Sequence, residues 1–151
     1  GLHIDLLGEP HVVRVGATSD PLDLPARPDI VMIGAKAHDV GPMVNATTLD
    51  PRLVFSVQNG VGKDDVLVER FGRDRVVGCV SMVGGTLHRP GHAAYTFTGL
   101  TYLGDVAGSS PGGAAEIAAL IDATGVLGAE VRDDIESVVW SKAVLACGAM
   151  G

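Results

Sequence analysis

Runs of consecutive apolar residues, each closed by glycine, proline or a polar side chain, recur through the first half of this chain. Residues 30–33, 53–57 and 76–80 are almost unbroken in apolarity, as expected of central parallel strands covered on both faces. A shorter strand is expected at 12–15, ahead of a proline-bounded connection over 21–28. Between these runs the period lengthens to that of a helix. Residues 64–71 read as a crossover helix, with Val66 and Leu67 offered to the core and Asp64 and Asp65 at the favourable end of its dipole. Residues 37–48 read as a shorter helix, disturbed near its start by Gly41-Pro42. The alternation of strand, turn and helix predicts an α/β sheet.

After Gly84 the pattern changes. Residues 93–98 and 101–103 mix polar and aromatic positions and predict short strands in an antiparallel extension, separated by Gly99-Leu100. A glycine- and serine-rich surface turn at 108–113 precedes a helix expected over 114–123, with Ile117, Leu120 and Ile121 facing a core. Val131 belongs to a short edge strand. Asp133 or Asp134 then caps a last helix from about Ile135, which carries Ile135, Val138, Val139 and Lys142 on one broad side.

A chain of 151 residues accommodates one domain with a substantial core, or two small linked units. Its 46% hydrophobic content argues against disorder, while the apolar runs are too short and interrupted to span a bilayer. Eleven basic against 18 acidic residues leave a formal charge of -7, which sets an unfavourable field for nucleic acid. An anionic metabolite stays compatible, because one enclosed lysine outweighs distant surface carboxylates. Cys79 and Cys147 form no metal-binding or disulfide pattern and read as free buried thiols in a reducing compartment. The opening Gly1-Leu2-His3-Ile4-Asp5 lacks the features of a secretion signal, so the cytoplasm is the default expectation.

Two segments carry candidate chemistry: Ser56-Val57-Gln58-Asn59-Gly60-Val61-Gly62 and Val139-Trp140-Ser141-Lys142. In the first, Gln58 and Asn59 donate and accept hydrogen bonds, while Gly60 and Gly62 allow backbone approach or positive φ. At the carboxyl end of a strand such a loop can set amides beside a cofactor, although the same residues also make an ordinary capped turn. Lys142 sits on an apolar helical side, where burial would lower its pKa and free a proton for a reacting oxygen; snorkelling to solvent is the plain alternative. Lys36, after the strand at 30–33, directs a charge towards the same crevice or simply into water. His38 beside it could tune polarity, and Asp39 starts or pairs within the next helix. Trp140 reads as packing at a junction.

The histidines supply no convincing metal set: His88 and His92 are four residues apart, but Pro90 and Gly91 between them rule against a ligand-presenting helix. Gly84-Gly85 and Arg89 lack the spacing of a nucleotide P-loop, and no complete GxGxxG occurs in the chain.

Taken in order, Ile30-Val31-Met32-Ile33-Gly34-Ala35-Lys36-Ala37, the 56–62 loop, Thr98-Gly99-Leu100-Thr101-Tyr102-Leu103-Gly104 and Val139-Trp140-Ser141-Lys142 resemble the ketopantoate reductases, or 2-dehydropantoate 2-reductases. The resemblance implies a partial Rossmann-like nucleotide-binding domain over 1–132, a parallel sheet with crossover helices, and the start of an all-α substrate domain over 133–151. It implies NADPH and a small 2-keto acid bound between the two, with a βαβ phosphate-binding segment ahead of this chain and further helices after it. By the same resemblance Lys142 is the catalytic lysine that protonates the alkoxide formed on hydride transfer. Asn59 positions cofactor and substrate, Lys36 contributes charge to cofactor binding, and Gln58 and Gly60 belong to the cofactor loop.

Positions where relatives often carry asparagine after the catalytic lysine hold Ala146 and Met150, and Met82 replaces a more polar stretch. These departures open the substrate range to more apolar 2-keto acids. The competing account is a non-catalytic nucleotide-binding or structural relative, inactive as this segment alone. A second copy of the chain is a further partner to weigh, because the apolar last helix needs a covering surface.

Overall fold

The computed structural model describes residues 1–107 and 112–149; positions 108–111 of the expected turn, and Met150, lie outside the described residues. The framework is a five-stranded sheet in the order β3-β4-β5-β8-β9 beside a four-stranded sheet in the order β2-β1-β7-β6. The strands are β1 (Leu2–Leu6), β2 (Glu9–Val13), β3 (Ile30–Ile33), β4 (Leu53–Ser56), β5 (Val76–Ser81), β6 (Gly84–Arg89), β7 (His92–Phe97), β8 (Leu100–Asp105) and β9 (Gly128–Val131). The helices are α1 (Ala37–Ala46), α2 (Asp65–Phe71), α3 (Gly113–Asp122) and α4 (Ile135–Ala149).

The three apolar runs are the parallel strands β3, β4 and β5, with Ile30 opposite Leu53 and Val54 opposite Val76. Their unbroken apolarity has a direct cause, since each face of the sheet carries its own core. Leu53, Phe55, Val77 and Cys79 point to one side, with Leu103 of β8 and Ala114, Ile117 and Ala118 of α3. Ile33, Val54 and Val76 join Val40 and Val44 of α1 and Leu67 of α2 on the other. Pro42 lies inside α1 without ending it, because Val40 and Val44 on either side of it are buried to 3% and 1% exposure. In α3 the buried face is Ala114, Ile117 and Ala118, with Ile121 packed beside it; Leu120 is 56% exposed, contrary to its expected core role.

The segments at 93–98 and 101–103 part company. β8 pairs antiparallel with β5, with Cys79 opposite Leu103, and β9 adds to its far side in parallel. β7 instead lies between β6 and β1 in the second sheet. The two sheets share one long excursion: β5 and β8 run as a pair, and β6 and β7 fold out from their ends. The crossing is tight, for a Cβ on Gly99 would collide with the Met82 carbonyl, and Met82 N–H donates to Leu100 O at 2.9 Å. Only β8 delivers a side chain, Leu103, to the main core, whereas β7 stays half-exposed.

β1 carries no strong periodicity, and β2 falls at Glu9–Val13 rather than at 12–15. Leu7 at φ 54 and Gly8 at φ 97 join them, both in the left-handed region that a tight hairpin turn with right-handed strand twist requires.

The seat of α4 is built from glycine. Gly78 of β5 faces Gly104 of β8 in register, and a Cβ on either would strike Ile135, at 2.9 Å from Gly78 and 2.6 Å from Gly104. The first residue of α4 drops into this gap and is 4% exposed. Asp134 caps the helix, its carboxylate accepting from Ser137 N–H at 3.1 Å and Ser137 Oγ–H at 2.5 Å. Seat and cap together aim α4 along the carboxyl end of β5. Among the described residues no helix is long and apolar enough to cross a membrane.

Candidate functional site

The chain leaves β3 and β4 at the same edge of the sheet, so the loops after them are neighbours. Val57 N–H continues the ladder to Ile33 O at 3.2 Å, and Gln58 Nε2 donates to that same carbonyl at 3.5 Å. The other end of the amide, Gln58 Oε1, is buried without a hydrogen-bond partner. Gly60 and Gly62 take φ of +111 and +70, values at which a side chain would be strained, so the glycines of the motif are needed for the loop's path. A cleft of about 450 Å³ runs between the two loops, lined by Gly34, Ala35, Lys36 and His38 on one side and Gln58 and Asn59 on the other. His38 lies 3.4 Å from the Asp39 carboxylate at the exposed surface.

Lys142 reaches this edge from α4. Its Nζ donates to Asn59 Oδ1 and to the Ser81 carbonyl, each at 2.7 Å, bridging 83 residues of sequence in the first case. Gln58, Asn59, Gly60, Lys142 and Ala146 surround one cavity of about 170 Å³. Burial is the main reason the Lys142 pKa falls below that of a free lysine, and the ammonium of Lys63 pushes the same way. Cys79 beneath it is fully buried, and desolvation raises its thiol to about 11, so it stays neutral. On the far side of Lys142 a wider groove of about 720 Å³ is bordered by Val80, Met82, Tyr102, Arg132, Ser141 and Leu145.

Of the residues singled out from sequence, Gln58, Asn59, Gly60 and Lys142 meet around one cavity, and Lys36 lines the adjoining cleft. Two neighbours carried no signal, Ser81, whose carbonyl holds Lys142, and Lys63; Asp64, read from sequence only as an acid at the start of a helix, pairs with Lys63 at 2.9 Å. A lysine in a glycine-rich loop looks solvated until the fold closes over it. Cys147 is exposed rather than buried, because it faces away from the sheet on the open side of α4. Trp140 is 60% exposed on the same helix. Among the described residues no group of three or more His, Cys, Asp or Glu could hold a metal ion.

Comparison with known proteins gives a consistent picture. The family model described as ketopantoate reductase PanE/ApbA matches residues 1–108. The 2-dehydropantoate 2-reductase of Archaeoglobus fulgidus is 34% identical over 134 residues, covering 88% of this chain and 43% of its own length. That of Halobacterium salinarum is 27% identical over 143 residues, covering 93% of this chain and 46% of its own. The chain therefore spans less than half the length of these curated relatives. Among solved structures, the PanE/ApbA family ketopantoate reductase of Ralstonia eutropha JMP134 superposes with a TM-score of 0.80 at 25% identity, covering 97% of this chain and 48% of its own. The ternary structure of D-mandelate dehydrogenase with NADH and anilino(oxo)acetate shares the fold at a TM-score of 0.78 and 20% identity, over 95% of this chain and 47% of its own. A family match over residues 1–108 and a relative this similar across most of the sequence lead to one conclusion: the chain belongs to the ketopantoate reductase family.

Proposed function

We propose that the complete protein reduces a 2-keto acid, 2-dehydropantoate or a close relative, to the 2-hydroxy acid with NADPH, and that this chain supplies the proton donor and part of the cofactor cleft. The observation that carries this reading is the contact of Lys142 Nζ with Asn59 Oδ1 at 2.7 Å, at the edge where the parallel strands β3 and β4 end. Family membership, and the NADH held by D-mandelate dehydrogenase on the same fold, support a dinucleotide here too. The residues present fit it. Gln58 Oε1 is a buried acceptor in want of a donor such as a carboxamide N–H, and Lys36 brings positive charge to the same cleft for a phosphate.

An ammonium has three protons to donate, and two of those on Lys142 are engaged by Asn59 and Ser81. The third is free to meet the substrate's ketone oxygen. The cofactor, when bound, supplies the hydride. As negative charge develops on that oxygen, Lys142 first stabilises it and then transfers a proton, leaving a neutral amine that solvent reprotonates. Burial lowers the pKa and makes that transfer easier. Asn59 keeps Nζ directed, so proton and acceptor meet without a search.

Ala146, one turn beyond Lys142, presents a methyl group to the cavity. This favours 2-keto acids with an apolar side chain over those that demand polar contacts there. Two free thiols suit a reducing cytoplasm. The test is NADPH oxidation by the complete protein across a panel of 2-keto acids that includes 2-dehydropantoate, repeated with Lys142→Met. A loss of about 10²–10⁴-fold in kcat is expected for removal of a general acid. Turnover by Lys142→Met close to the unaltered rate, or binding of NADPH with no turnover of any acid, would leave the non-catalytic account standing instead.

A further inference from the structure

We infer that Lys63 is a positioning residue of this site: its buried ammonium fastens the Asn59 loop at both ends and acts electrostatically on Lys142. The inference rests on the reading of Lys142 as proton donor. Lys63 immediately precedes Asp64 and α2, and its side chain is only 5% exposed. Its Nζ donates to Ser56 O at 3.1 Å, to Ser56 Oγ at 3.2 Å and to Asp64 Oδ1 at 2.9 Å. All three donors of the ammonium are thereby engaged. Ser56 Oγ also donates to Asp64 Oδ1 at 3.2 Å, closing the triangle.

Ser56 is the last residue of β4 and fully buried, so one cation ties the exit of the strand to the entrance of the helix. Between those two points runs the loop that carries Gln58, Asn59 and Gly60. Two of its glycines hold positive φ and lend it no stiffness of their own. A clamp at its base limits how far Asn59 strays from Lys142.

The same ammonium borders the 170 Å³ cavity that Lys142 and Asn59 enclose. Other charged or titratable groups around Lys142 are Cys79 on β5 and Asp64 beside Lys63; Tyr102 on β8 and Arg132, Asp133 and Asp134 ahead of α4 border its far side. Cys79 is neutral, with its thiol at about 11, and Arg132 is paired with Glu130 at 2.6 Å. Lys63 is a like charge on the enclosed side, offset in part by its own partner Asp64 at 2.9 Å; after burial, what remains of its field favours the neutral amine of Lys142. A purely structural ion pair would leave proton release from Lys142 untouched.

The experiment uses the complete protein and two readouts. The first is the pH dependence of Lys142 acylation by an amine-reactive reagent, read by peptide mass mapping. The second is the basic limb of the kcat–pH profile for NADPH-dependent 2-keto acid reduction. In Lys63→Met the like charge is gone and Asp64 remains, so both the acylation midpoint and the basic limb move up by about one pH unit. Lys63→Arg, which keeps the charge, restores both. Lys63→Gln replaces the cation by a neutral donor to Ser56, and gives the same upward shift if the Met variant fails to fold. Coincident midpoints in the unaltered protein and either neutral variant would overturn the inference. Absence of 2-keto acid reduction by the unaltered protein would overturn the reductase reading, while the acylation midpoints would still decide the coupling.

Discussion

Ile135 occupies the space that a Cβ on Gly104 would need: the two would stand 2.6 Å apart. The Arg132 carbonyl lies 2.5 Å from the same point, so backbone as well as side chain blocks any substituent. Gly104→Ala must therefore push the start of α4 off the sheet. We expect a loss of about 1–3 kcal/mol of stability, as for other overpacked cores, measured by chemical denaturation. Because Lys142 rides on the same helix, the Lys142–Asn59 contact loosens with it, and kcat falls in parallel. A variant with full stability and full activity would show that the glycine seat does not position the helix.

Asn59→Asp tests the proximity of the loop to Lys142 by charge. A carboxylate in place of the amide, at hydrogen-bond distance, favours the protonated lysine and offsets the burial that lowers its pKa. On the proposed mechanism the donor is protonated Lys142, so reduction should be lost as pH rises through its pKa. The basic limb of the pH profile should accordingly shift to higher pH by about 1–3 units, while peak kcat falls because the loop geometry changes.

Leu67 of α2 is completely buried against the face that holds Ile33 and Val54. Leu67→Ala leaves a cavity there and should cost about 2–5 kcal/mol, readable from the denaturant midpoint. Because α2 begins immediately after the Lys63–Asp64 pair, loosened packing should also raise hydrogen exchange in residues 57–63. Unchanged exchange in that loop would separate the core from the site.

Acid should weaken the fold through named carboxylates. Asp50 is held below its ordinary 3.8 by hydrogen bonding to Arg75, Glu116 below 4.5 by Arg52, and Asp134 below 3.8 by the Ser137 hydroxyl and N–H. A depressed folded-state pKa means that the stabilisation is complete above the unfolded value and disappears as pH falls through the folded one. Thermal midpoints should therefore hold at neutral pH and decline from roughly pH 4.5 downwards. Glu116→Gln should lower the neutral-pH midpoint and flatten the decline. Glu116 and Asp134 are solvent-exposed and Asp50 is half-buried, so salt should reduce the effect.

The central strands β3, β4 and β5 and the helices α1, α2 and α3 were legible because their signals are local. Burial on both faces demands unbroken apolar runs, and a helix packed on a sheet demands apolar residues on one side. The second sheet was legible only in part: the strand read at 93–98 is β7 and the one read at 12–15 overlaps β2, but β1, β6 and the pairing of the four carried no local signal. β1, β2 and β6 are largely exposed and β7 is half-buried, so their sequences are under weak hydrophobic constraint and their pairing depends on where β5 and β8 release the chain.

The site divides along the same line. Sequence alone determined that Gln58-Asn59-Gly60 follows a buried strand and that Lys142 sits on an apolar helix, since strand ends and helical spacing are properties of neighbouring residues. Only the tertiary structure decided that the two meet at 2.7 Å, that Ser81 offers its carbonyl to Lys142, and that Lys63 lies buried beneath the loop. Those relations join residues far apart in the chain, and the packing of Ile135 between Gly78 and Gly104 brings them together, a complementarity that no single stretch of sequence contains.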